Sequence, residues 1–306
     1  MASGGTKAVV AALVANLGIA VAKFVGFLIT RSSSMLAESV HSVADSGNQA
    51  LLLLGGRMAR RPESEEHPFG YGRERYFWSF IVALVLFTLG ALFSLGEGFA
   101  KLGEPHAPES LGVAIGILLV AIVLEAGSFR TAVHESNRVR GTESWWRFIR
   151  HTRNPELPVV LLEDLGALVG LVLALIGVVL AKFVAPVFDA YATLAIGTLL
   201  GIIAIILATE MKSLLIGESA RPGVVAAIRN AIEETPEVER VIHMRTVHIG
   251  PEELLVGAKV ELDGRLTFAQ VARTINVAEQ RVRERCPQVG IFYVEPDVYS
   301  PDPGRT

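Results

Sequence analysis

The sequence predicts an α-helical membrane protein: six transmembrane helices followed by a small α+β domain on the cytoplasmic side. Three observations carry this expectation. The 306-residue chain is 51% apolar. Its apolar residues are gathered into runs that reach the roughly 20 residues a helix needs to cross a bilayer. From Gly217 onward the hydropathy falls and shorter helical and alternating patterns take over, as in a soluble domain.

The six expected spans run from Lys7 to Thr30, Ser34 to Met58, Tyr76 to Lys101, Ser110 to Val133, Pro155 to Phe183 and Phe188 to Ile216. The first is too long for a signal peptide, carries Asn16 and Lys23, and leads into further spans. After residues 1–216, the segment 217–306 reads as an αββαβ unit. Pro222 to Glu234 has helical spacing of Val224, Val225, Ile228 and Ile232 and stops before Pro236. Val238 to Ile249 and Leu254 to Leu262 alternate around a Gly-Pro turn, as two strands do. Thr267 suits the cap of an amphipathic helix running to Cys286, and Val289 to Val294 makes a short apolar strand. That order describes a small open-faced sandwich.

Charge and cysteine usage exclude several classes. A formal net charge of -3 suggests no nucleic-acid partner. The single cysteine, Cys286, provides neither a disulfide framework nor a thiolate cluster. No P-loop, HExxH or nucleophile-elbow pattern is present, which argues against an enzyme. Arg57, Arg60, Arg61, Arg73 and Arg75 lie in the loop between the second and third spans, and Arg130, Arg138, Arg140, Arg147, Arg150 and Arg153 between the fourth and fifth. The alternate loops carry only Arg31, Lys101 and Lys182. The arginine-rich loops are therefore expected inside, with both termini cytoplasmic. Compact loops and the missing presequence favour a bacterial inner membrane.

The spans hold side chains that hydrocarbon does not tolerate alone. His41 and Asp45 are four residues apart, so they share a helix face at about 6 Å and can grip one cation. An imidazole with a carboxylate suits zinc, iron, manganese or cobalt. The fifth span adds Glu163 and Asp164. Asp45 lies about twelve residues from the cytoplasmic end of its helix and Asp164 about nine from Pro155, so both reach the midplane. A plain hydrogen-bonded pair between helices is the competing reading. Asn16, Lys23, Asn48 and Gln49 serve equally as packing contacts or as supports to the site. Glu97 lies near the outer interface, whereas Glu125 is deep enough to act as a further ligand or proton relay.

The run Ser34-Met35-Leu36-Ala37-Glu38-Ser39-Val40-His41-Ser42-Val43-Ala44-Asp45, followed by Asn48-Gln49, resembles the second-span signature of the cation diffusion facilitator family of metal transporters. His67-Pro68-Phe69-Gly70-Tyr71-Gly72-Arg73 resembles the loop motif that follows it there. The resemblance implies that His41, Asp45 and Asp164 bind the transported ion, usually zinc. The family's remaining histidine position falls on Val160, which has no donor atom. The run Leu161 to Asp164 resembles the Leu-Leu-Glu-Asp branch, with Glu163 or Glu125 expected to complete the shell. Glu163 sits about 100° around the helix from Asp164.

The same resemblance puts His67 at a loop metal position, where Tyr71 and Ser64 replace other ligands and Glu63, Glu65 and Glu66 stand nearby. It makes Arg73 the basic position that locks the loop against the base of the last span, and Glu218 is the expected partner. In the soluble domain, His243 and His248 form no dense cluster. Lys259, Tyr293 and Glu295 occupy positions where relatives hold regulatory zinc, so homodimerisation is expected rather than sensing. Metal ligands bind deprotonated, so loading an ion expels protons, and a histidine with an unperturbed pKa near 6.5 titrates in the useful range. The expected activity is proton-coupled antiport of a divalent metal, zinc foremost, by alternating exposure of one midplane site. A carrier of manganese, iron or cobalt, or a non-transporting membrane subunit of the same fold, stands as the alternative.

Overall fold

The computed structural model describes residues 3–105 and 110–300, with side chains from Asn16 onward, Ser33 excepted. Two compact units emerge: Met1–Met58 with Glu74–Lys212, and Ala59–Arg73 with Ser213–Thr306.

In the first unit, six long helices stand where the six spans are expected. They are α1 (Ser3–Thr30), α2 (Ser33–Met58), a third helix in three parts, α5 (Leu111–Arg140), α7 (Glu156–Phe183) and α8 (Val187–Ile216). The third helix joins α3 (Glu74–Val85) to α4 (Phe93–Gly103) through a π-helical stretch, Leu86–Leu92. Widening of the helix there, around Gly90, was not visible in hydropathy, which is the same for either winding. α5 continues past Val133 to Arg140, and a short helix, α6 (Trp145–His151), follows it. Ser144 caps α6 by accepting a hydrogen bond from the Arg147 amide, as a serine at that position does.

Among the described residues, Glu74–Gly103, Leu111–Arg140, Glu156–Phe183 and Val187–Ile216 are long and apolar enough to cross a membrane. α2 has the length but carries Glu38, His41, Asp45, Asn48 and Gln49. Burial follows an inside-out pattern: Val123 is 71% exposed and Ile205 61%, whereas Lys23 and His41 are 0% exposed. Apolar side chains facing outward and charged ones inward is the distribution that lipid solvent imposes. α2 is the polar strip, packed against α1, α3 and α7, while α5 packs on α7 and α1. Met35, Leu86, Leu118, Leu171, Ile196 and Leu200 fill the apolar core.

The second unit is the expected αββαβ sandwich. α9 (Pro222–Glu233), β1 (Val238–Gly250), β2 (Glu253–Leu262), α10 (Phe268–Arg285) and β3 (Val289–Pro296) form a sheet in the order β1-β2-β3. β1 and β2 pair antiparallel, β2 and β3 parallel. Alternate residues of β2, Leu254, Val256, Ala258 and Val260, are buried with Ile228, Val282 and Phe292, the period of two of a half-buried strand. Thr267 and Gln270 form a reciprocal capping box at the start of α10. Cys286 is buried at the other end of that helix. Segment 59–73 belongs to this unit: a Cβ on Gly72 would lie 2.7 Å from the Ile249 carbonyl oxygen, so that crossing admits glycine alone.

Candidate metal centre between helices α2, α5 and α7

His41 and Asp45 lie one turn apart on α2, with His41 Nδ1 3.4 Å from Asp45 Oδ1. The two atoms do not meet in hydrogen-bond geometry: both His41 nitrogens and Asp45 Oδ1 are buried without a hydrogen-bond partner. Leaving a buried polar atom unsatisfied costs about 1–3 kcal/mol, and three such atoms gather on one face of α2. A neutral imidazole and a carboxylate supply the nitrogen and oxygen donors that first-row divalent metals accept.

One turn further along α2, Asn48 Nδ2 donates to Glu163 Oε1 on α7 at 2.7 Å. That bond turns Glu163 toward α2, where its carboxyl group faces that of Asp45. Asp164 points elsewhere: Ser128 Oγ of α5 donates to its Oδ2 at 2.9 Å. Glu125, one turn before Ser128, is 7% exposed and approaches Lys23 Nζ at 4.0 Å. The two adjacent acids of α7 thus serve two helix seams, Glu163 the one with α2 and Asp164 the one with α5. Among the described residues no group of three His, Cys, Asp or Glu side chains is close enough to hold an ion.

The other expected positions are also placed. Val160 is half-buried on α7, one turn before Asp164. Asn16 is half-buried on α1. In segment 59–73 the exposed His67 ring stacks on Tyr71 with centroids 4.5 Å apart, and Ser64 Oγ lies 3.1 Å from Tyr71 Oη. His67 is thereby part of a turn. Arg73 Nη2 comes within 3.7 Å of where a Cβ on Gly217 would sit, next to Glu218, whose carbonyl accepts from the His248 amide at 2.9 Å. His243 Nε2 accepts from Arg245 Nε at 2.9 Å. Lys259 Nζ lies 3.0 Å from Asp297 and 3.4 Å from Glu295, and these carboxylates hold its ammonium above the usual lysine range.

Lys23, expected as a packing contact or a support to the site, has specific partners, and Ser128 was not anticipated at all. Lys23 bonds Glu38 Oε2 at 3.2 Å and Ser42 Oγ at 2.7 Å. A signal was available: Lys23 and Glu38 lie eight and seven residues on either side of the turn at Arg31, so antiparallel packing of α1 on α2 brings them level. Ser128 carried a weaker signal, three residues after Glu125 on the same helix face.

Six long helices, four of them long and apolar enough to cross a membrane, with His41, Asp45, Glu125, Glu163 and Asp164 buried among them, define a polytopic membrane protein. Models of the cation efflux transmembrane domain and of the cation efflux protein cytoplasmic domain match residues 9–216 and 220–296. The chain belongs to the cation efflux, or cation diffusion facilitator, family, a family of multi-pass membrane transporters and not of enzymes. It is 34% identical over 248 residues to the proton-coupled zinc antiporter SLC30A9, mitochondrial, of Xenopus laevis, covering 80% of this chain and 44% of the relative. It is 28% identical to metal tolerance protein C4 of Arabidopsis thaliana, covering 85% and 58%. It is 23% identical to magnetosome protein MamB of Magnetospirillum gryphiswaldense, covering 85% and 82%. The chain spans less than half the length of the antiporter relatives. Among solved structures, the MamM C-terminal domain, residues 215-293 of that protein, is 21% identical with a TM-score of 0.24, covering 25% of this chain and 96% of the other.

Proposed function

We propose that this chain exports a divalent transition metal, zinc foremost, in exchange for protons, through a site built from His41, Asp45 and Asp164 with Glu163 completing the shell. The observation that carries this reading is the orphaned donor set on α2: two imidazole nitrogens and a carboxylate oxygen, buried together and facing an acid of α7. Three mitochondrial relatives named as proton-coupled zinc antiporters support the choice of ion and of counter-ion.

The chemistry couples the two flows. Carboxylates and imidazole coordinate only when deprotonated, so the metal and protons compete for the same atoms. Asn48 holds Glu163 toward Asp45 while Ser128 holds Asp164 back. Loading is then a rotation of Asp164 from Ser128 into the seam, and proton return to the acids releases the ion on the other side. Arg73, close to Gly217, anchors segment 59–73, and the αββαβ domain pairs two copies of the chain. The arginine-rich loops support a cytoplasmic position for that domain, and the compact loops support a bacterial inner membrane.

A second reading concerns the ion. Val160 leaves α7 without a nitrogen donor, so the shell is one imidazole among carboxylates, and oxygen-rich shells suit manganese, iron or cobalt better than all-nitrogen ones. Uptake of each divalent metal into vesicles, with and without a pH gradient, tests both. Zinc uptake driven by an acidic lumen supports the proposal; uptake indifferent to the gradient removes proton coupling.

A further inference from the structure

Lys23 is the one lysine or arginine buried among the described residues, at 0% exposure on α1. Replacing a buried ion pair by apolar groups is often neutral or stabilising, so stability alone is a poor reason to keep this ammonium. Its contacts are graded. Ser42 and Glu38 on α2 hold it at 2.7 and 3.2 Å, and Glu125 on α5 stands off at 4.0 Å. The first two form the grip and the third is the loose partner.

Glu38 reaches α7 as well: its Oε1 lies against bare backbone at Gly170, where a Cβ would overlap it, while its Oε2 accepts from Lys23. Glu125 is free by comparison: it lies within electrostatic reach of Asp45, Glu163 and Asp164, one turn from the serine that holds Asp164. A half-open, apolar groove of about 250 Å³ between α1 and α5 reaches Lys23 and is lined by Ile19, Ile117, Val120, Ala121 and Leu124.

We propose that Lys23 is a resident cation that competes with the transported metal for Glu125. Without metal, the ammonium neutralises Glu125 and holds α1 and α5 together. An arriving divalent ion draws Glu125 toward the α2 and α7 donors and away from Lys23, and the pull of the fixed ammonium on Glu125 helps expel it. Lys23 is thus a positioning residue that weakens metal binding and speeds release. This rests on the metal-carrier reading above.

The test is a titration of the full chain in detergent with zinc chloride, together with zinc uptake into proteoliposomes. Lys23→Met is expected to bind zinc about tenfold more tightly and to lower both KM and kcat, and Lys23→Arg to behave as the parent. Where Lys23→Met does not fold, Lys23→Met with Glu38→Gln, which removes both charges of the gripping pair, is expected to show the same tightening. In a Glu125→Gln background the substitution at Lys23 is expected to change nothing, because coupled residues lose their effect together. An unchanged dissociation constant in a folded Lys23 variant, or the same tightening in the Glu125→Gln background, overturns the proposal. If the parent protein binds no zinc, the metal-carrier reading fails instead.

Discussion

Asn48 on α2 donates a 2.7 Å hydrogen bond to Glu163 on α7, and this bond decides which of two adjacent acids faces His41 and Asp45. Supports of metal ligands are worth about 10–100-fold in affinity. Asn48→Ala is expected to weaken zinc binding by about tenfold and, by leaving Glu163 less well partnered, to cost about 1–3 kcal/mol of stability. Calorimetric titration and a thermal melt read the two effects separately.

Val160 lies one turn before Asp164 on α7, so a histidine there shares its helix face. Val160→His adds a nitrogen donor and is expected to shift preference toward zinc over manganese by about tenfold. Competition between the two metals in uptake measures it; an unchanged ratio means that position 160 does not reach the ion.

His41→Asp is expected to act in the opposite sense. An all-oxygen shell suits harder ions, so manganese uptake should rise relative to zinc, read in the same competition assay.

Gly170 makes room for Glu38 Oε1. Overpacking of this kind costs about 1–3 kcal/mol, so Gly170→Ala is expected to lower Tm, and Glu38→Ala in the same background to recover part of the loss. Equal melting of Gly170→Ala and the parent would show that Glu38 has another seat.

In the second unit, burial and the nearby Glu63 carboxylate raise the pKa of Glu253. An acid raised in the folded state opposes folding once ionised, so its cost is absent at low pH and appears as pH rises through its range. Glu253→Gln is therefore expected to raise the Tm of this unit at neutral pH and to leave it unchanged at acid pH. A gain at acid pH instead would assign the effect to packing.

The architecture was legible wherever one residue pattern admits one structure. Thr267 followed by Gln270 specifies a capped helix, alternation in β2 specifies a half-buried strand, and long apolar runs specify spans. Features that depend on a partner distant in sequence were not. Glu163 and Asp164 are about 100° apart on their helix, so only one can face α2, and the choice rests with Asn48 and Ser128 on two other helices. The seat of segment 59–73 depends on Gly72 crossing Gly250, which no local pattern announces. The π-helical stretch and α6 escaped notice because hydropathy is blind to winding and because seven residues rich in arginine and tryptophan read as loop.

In the proposed carrier, His41 and Asp45 form half of the site that holds the ion. Zinc uptake into proteoliposomes acidic inside, comparing the parent with Asp45→Ala after matching the amount of folded protein, tests it most directly. Asp45→Ala is expected to abolish gradient-driven uptake while the protein still melts cooperatively; uptake at the parental rate would mean that Asp45 does not hold the ion.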